Sequence, residues 1–137
     1  TSRAEQAKFN SIQLKKDADR EFIKLSSDVK GMRRVLRLIS SHNPDRMTDE
    51  QVETALYTVK DKEPKQFIKT TIDKNLEIKA EIDEMVSAGV LRKIGNQVIF
   101  IDEILGETME DTVIYLKNKK NSGKLTTLRA KLKEVAI

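Results

Sequence analysis

The stretch NLEIKAEIDEMVSAGVLRKIGNQVIFI, residues 75–101, decides how this chain is read. Leu76, Ile78, Ile82, Met85 and Val86 recur at helical spacing until Gly89 interrupts them. Two short runs follow, Val90–Ile94 and Gln97–Ile101, rich in the β-branched residues that suit a pleated surface. Gly95-Asn96 lies between them and meets the positive-φ demand of the tight primed turns that match strand twist. The pattern predicts a helix followed directly by a two-stranded hairpin.

Upstream, Phe67, Ile68, Ile72 and Leu76 continue the helical stripe back to Pro64, a residue suited to a first helical turn. Residues 64–88 form either one long helix or two helices bent near Asp73-Lys74-Asn75, and only the bent form makes a helix-turn-helix. Before Pro64, Thr48 with Gln51 three residues later is a capping box, and Met47 and Val52 are placed to close a hydrophobic staple over it. That helix buries Val52, Ala55, Leu56 and Val59, and Lys60–Pro64 ends it. Ser40–Asp45 is a cluster of turn formers that stops a short helix carrying Val35, Leu36, Leu38 and Ile39. Gly31 separates this helix from an N-terminal one, where Ala18, Phe22, Leu25 and Val29 follow one another at spacings of four, three and four, behind weaker apolar positions at Ala7, Phe9, Ile12 and Leu14.

Downstream, Thr108 followed by Met109, Glu110 and Asp111 reads as a helix N-terminus, with acidic groups near the positive end of the dipole. Met109, Val113, Ile114 and Leu116 form its apolar side, and Lys117–Gly123 closes it. A last amphipathic stretch uses Leu125, Leu128, Leu132 and Val135 or Ala136, with Lys124, Arg129, Lys131 and Lys133 beside them.

Composition narrows the chemistry. With six aromatic residues and no Trp in 137, the core is aliphatic and small. The absence of cysteine rules out a disulfide framework and a thiolate metal site. No apolar run approaches the roughly 18 residues of a membrane span, and the first residues lack the apolar stretch of a signal peptide, so the expectation is a soluble protein of a cytoplasm or a virion, without a membrane partner. The single histidine, His42, lies between Ser41 and Asn43 beyond a helix end, a place for solvation rather than general-base work. No glycine-rich phosphate loop, Ser-His-Asp set or metal-ligand spacing occurs. The expectation is therefore no enzyme, no catalytic or metal residues and no cofactor.

Charge is segregated along the chain. Residues 1–30 carry a net +2, residues 31–46 +3, residues 47–111 −7 and residues 112–137 +6. A basic–acidic–basic order favours head-to-tail association, or basic flanks resting on phosphates while the acidic centre avoids them. The candidate nucleic-acid contacts are Arg33, Arg34 and Arg37, Arg92 and Lys93 on the hairpin, and Lys117, Lys119, Lys120 and Lys124. Against base readout stands the helix before the hairpin, where Glu77, Glu81, Asp83 and Glu84 face only Lys79. Any DNA binding is then without sequence specificity. The candidate protein contacts are Phe22, Leu25 and Val29 on the N-terminal stripe and Leu125, Leu128 and Leu132 on the tail, residues that could equally pack on their own domain.

The segment Asp73–Ile101, with its Asp-Lys-Asn-Leu-Glu-Ile-Lys-Ala helix and Gly-Val-Leu-Arg-Lys-Ile-Gly-Asn-Gln-Val hairpin, resembles the ending of a winged helix. Together with Tyr115-Leu-Lys-Asn-Lys-Lys-Asn121 it is also similar to small proteins encoded by tailed bacteriophages. The first resemblance implies a mainly α fold with a small β-hairpin: a winged-helix-like body over 31–111, a helical arm over 1–30 and a basic helical tail over 112–137. The second implies a non-enzymatic viral structural protein, a virion or assembly component that binds a protein partner or associates with itself. A DNA-binding accessory protein is the alternative.

Overall fold

The computed structural model describes residues 2–40 and 42–135. The protein is mainly helical with one small antiparallel sheet. In chain order the elements are α1 (Arg3–Leu25), α2 (Val29–Ile39), α3 (Asp49–Lys62), α4 (Pro64–Thr71), α5 (Leu76–Ser87), β1 (Arg92–Ile94), β2 (Gln97–Phe100), β3 (Glu103–Gly106), α6 (Met109–Lys117) and α7 (Ser122–Val135). Single 3-10 turns precede α3 at Pro44–Arg46 and α7 at Lys119–Asn121.

Two compact units divide the chain, Thr1–Glu77 and Ile78–Ile137. The boundaries expected from the sequence lie after residues 30 and 111, and each has buried residues of one cluster on both sides. Leu25 and Met32 are buried in one cluster, and Leu105, Val113 and Leu116 in the other. Charge does not follow the units as it follows the chain, because they carry +3 and +1.

The first unit packs α1 to α4 around Ala18, Leu25, Met32, Val35, Leu36, Val52, Leu56 and Phe67. Its caps are local and legible. Thr48 Oγ1 accepts the Gln51 amide at 3.2 Å while Gln51 Oε1 accepts the Thr48 amide at 2.9 Å, completing the expected capping box. Gly31 does not interrupt a helix but sits in the first turn of α2, where its amide donates to the Asp28 side chain at 2.9 Å. The bend near Asp73 is present, so residues 64–88 are two helices. Asp73 Oδ1 accepts the Asn75 amide at 2.8 Å, an Asx turn that offers the backbone an alternative to helix.

The second unit buries Ile78, Ile82, Met85, Leu91, Val98, Phe100, Leu105, Val113, Leu116 and Leu128. The hairpin expected at Gly95-Asn96 is present as β1–β2, with Ile94 paired to Gln97 across a two-residue turn. Gly95 takes φ +60° and Asn96 does not turn positive, the pattern of a type II′ turn. A third strand, β3, was not expected. It pairs with β2 through a second two-residue turn, Ile101-Asp102, in which Ile101 holds φ +57° despite its branched Cβ. β3 ends on Gly106, where a Cβ would stand 2.5 Å from both the amide nitrogen and the hydroxyl of Thr112. Only glycine lets the strand run so close to the first turns of α6.

Candidate interaction surfaces

The arginines of α2 are used inside the first unit. The Arg33 guanidinium donates to the Pro44 carbonyl, to the Met47 carbonyl at 3.0 Å and to the Asp49 carboxylate at 2.7 Å. Arg37, buried on the same helix, donates to Asp45 at 2.6 Å. Together they fasten the Pro44–Arg46 turn to α2 and hold the entry to α3. Arg34 lies 3.7 Å from Glu77. Both guanidiniums thus have partners inside the first unit, Arg33 two carbonyls and a carboxylate and Arg37 a carboxylate.

On the second unit the basic candidates separate. Arg92 donates to the Ile101 carbonyl at 2.7 Å and so ties β1 to the next turn. Lys124 reaches Glu103 at 2.7 Å and lies 5.4 Å from the centre of the Phe100 ring. Tyr115 donates its hydroxyl to the same carboxylate at 3.0 Å. Lys124, and then Tyr115, hold the Glu103 carboxyl below its usual range, and the bond to Glu103 raises Lys124. Burial, with Glu103 behind it, raises the Tyr115 phenol. Lys93, Lys119 and Lys120 are exposed and pair with no carboxylate among the described residues. Lys117 is exposed and has an interaction of its own.

The apolar candidates mostly face inward. Phe22 meets Tyr57 edge-on at 5.6 Å and Phe67 at 6.4 Å. Leu25 is buried, Leu128 is fully buried, and Leu125 and Leu132 pack against the second core. Val29, 40% exposed, is the member of the set that stays open to solvent. The interior position of Leu25 and Leu128 follows from their units' small cores, which need every large aliphatic group they can reach.

Two features escaped the sequence reading. One is Lys60, which is 2% exposed and reaches Asp19 of α1 and, at 2.8 Å, Asp61. Its ammonium sits 3.9 Å from the centre of the Tyr57 ring and 5.6 Å from that of Phe22. The signal was the spacing Val52, Leu56, Lys60, which continues the buried face of α3 where a helix end was expected. The other is the outer face of α1. Residues 2–13 of this helix are all exposed, and Phe9 (62%), Ile12 (55%) and Ile23 (70%) present large apolar side chains to solvent.

Comparison with family models, with curated proteins and with solved structures gives no match. Among the described residues no helix is long and apolar enough to cross a membrane. The His42 ring hydrogen-bonds the Ser40 hydroxyl at 2.7 Å at the surface.

Proposed function

We propose that this chain is a non-enzymatic protein-binding module of structural or assembly type, a virion component of a tailed phage, that associates with copies of itself. The observation that carries this reading is the exposed apolar face of α1. A large apolar side chain in water forgoes roughly 1.5–3 kcal/mol of burial, and Phe9, Ile12 and Ile23 leave three of them open on one helix. The chain order of α5 followed directly by the β1–β2 hairpin, which resembles a winged-helix ending, supports the same reading. Sedimentation velocity over about 1–100 μM tests it. The expected result is a weight-average mass that rises with concentration, and a monomer throughout would overturn self-association.

A second reading, a DNA-binding accessory protein, is favoured by Lys93, Lys119 and Lys120, three exposed lysines of one unit that no carboxylate among the described residues neutralises. It predicts anisotropy changes on unrelated duplexes that fall steeply between about 50 and 200 mM salt, as counterion release requires. Replacing Lys119 and Lys120 by Gln would weaken binding to all sequences alike.

A further inference from the structure

The outer face of α1 carries a pattern that specifies its occupant. Phe9, Ile12, Lys16, Asp19 and Ile23 follow one another at spacings of three, four, three and four, the a/d repeat of a coiled-coil seam. All five are exposed. The inward face of the same helix, through Ala18 and Leu25, packs on the first core. α1 is therefore apolar on two sides, and the domain uses one.

We infer that the open side is an isologous interface, in which α1 of one copy packs antiparallel on α1 of a second. This rests on the self-association proposed above and names its surface and register. In an antiparallel pair each a position layers against a d position of the partner helix, and a twofold axis makes every contact occur twice. One register matches four of the five seam positions. It sets Ile12 against Ile23 and Lys16 against Asp19, so that two apolar layers flank two opposite-charge pairs. The neighbouring antiparallel registers, one heptad away, set Ile12 against Lys16 and Phe9 against Asp19, or Asp19 against Ile23, a charge on an apolar group in each case, and in-register parallel packing sets Lys16 on Lys16 and Asp19 on Asp19. A charge buried against an apolar group without a partner is disfavoured in the first case, and like charges directly opposed in the second.

Charge complementarity is therefore built into the face, and what it complements is the same face reversed. Asp19 has capacity for this role although it also receives Lys60, since its side chain remains 57% exposed. The helix is pre-organised by its inward packing, so association does not carry the cost of ordering it. A seam of about two heptads is short, so the pair forms at micromolar concentrations and above rather than at nanomolar ones.

The absence of cysteine from the chain makes the register directly testable. Ile12→Cys and Ile23→Cys are made separately, each at a residue more than half exposed, and mixed under mild oxidation. The mixed 12–23 disulfide is expected to form at least tenfold faster than either 12–12 or 23–23. In parallel, Ile12→Glu in the cysteine-free chain is expected to raise the dimer dissociation constant at least tenfold in sedimentation equilibrium, with an unchanged circular dichroism spectrum. Predominance of 12–12 or 23–23 disulfides would overturn the antiparallel register. Association undiminished by Ile12→Glu, with no preferred disulfide, would overturn the α1 interface while leaving self-association intact. A monomer at all concentrations would remove both. Binding of a monomeric chain to anionic vesicles through this face would give the apolar side to lipid and overturn the pairing.

Discussion

Removing the Lys60 side chain tests how the first unit holds α1 against α3. In Lys60→Ala the three methylenes beyond Cβ no longer fill their buried slot, a loss of about 2.4 kcal/mol at roughly 0.8 kcal/mol each. The ammonium also leaves the Tyr57 face, 3.9 Å from the ring centre, which is worth about 1 kcal/mol. Its two ion pairs contribute only about 0.5 kcal/mol each, because the Asp19 and Asp61 side chains are 57% and 56% exposed and rehydrate readily. Against these stands about 1.5 kcal/mol of rotamer entropy that the freed position no longer gives up. The net expectation is a loss of about 3 kcal/mol in urea unfolding followed by circular dichroism. Lys60→Met keeps the buried stem and loses the charge, so it should cost about 2 kcal/mol, the ring contact and the two ion pairs together. The pH dependence is fixed in sign. Burial alone would lower the Lys60 pKa, but the bonds to Asp19 and Asp61 together outweigh it and raise it above the usual 10.5. The charge therefore contributes fully below about pH 10.5 and its contribution is lost as pH rises through the folded value. The gap between wild type and Lys60→Met should close above that pH. Lys60→Ala costing less than about 1 kcal/mol, or Lys60→Met as stable as wild type at pH 7 with a gap that does not move at high pH, would refute the reasoning.

Other substitutions probe single features. Gly106→Ala forces a Cβ to within 2.5 Å of the Thr112 amide, and because backbone must shift, thermal unfolding should show a loss of about 2–3 kcal/mol. Ile101→Gly should stabilise by about 0.5–1 kcal/mol, since removing a branched residue from φ +57° releases about 1–2 kcal/mol and glycine's entropy returns part of it; a net loss in urea titration would show that the side chain itself is held by the second unit. Thr71 Oγ1 is the buried side-chain polar atom without a hydrogen-bond partner among the described residues. Thr71→Val should therefore raise stability by about 1 kcal/mol, and a decrease would reveal a bond that the hydroxyl makes.

What the sequence determined by itself is what short-range chemistry dictates. Thr48 and Gln51 meet whatever the rest of the chain does, because their atoms are three residues apart on one turn. Thr108 caps α6 in the same way, its hydroxyl accepting the Asp111 amide at 3.1 Å. Gly95 must turn where two β-rich runs flank it, and so the helix-then-hairpin order and the mainly α class with a small hairpin were readable. The break at Asp73 was readable only as an alternative, since its apolar stripe runs on at helical spacing and the Asx bond that ends α4 competes with a helix of nearly equal quality.

Tertiary structure decided everything that depends on partners distant in the chain. β3 has four residues with one buried side chain, Leu105, too little pattern to announce a strand until β2 supplies its hydrogen bonds. The partners of Arg33 and Arg37 inside the first unit were not legible, because a cluster of cations shows its charge in sequence while the carbonyls and carboxylates it meets lie 8 to 16 residues away. Lys60 reads as the start of a helix end because its counterion, Asp19, is 41 residues distant. The inner and outer faces of α1 have similar apolar content, and a helix stripe does not state which side its domain will cover. The division into units was hidden for the same reason: cores are drawn by volume and contact, and neither is written at a single place in the chain.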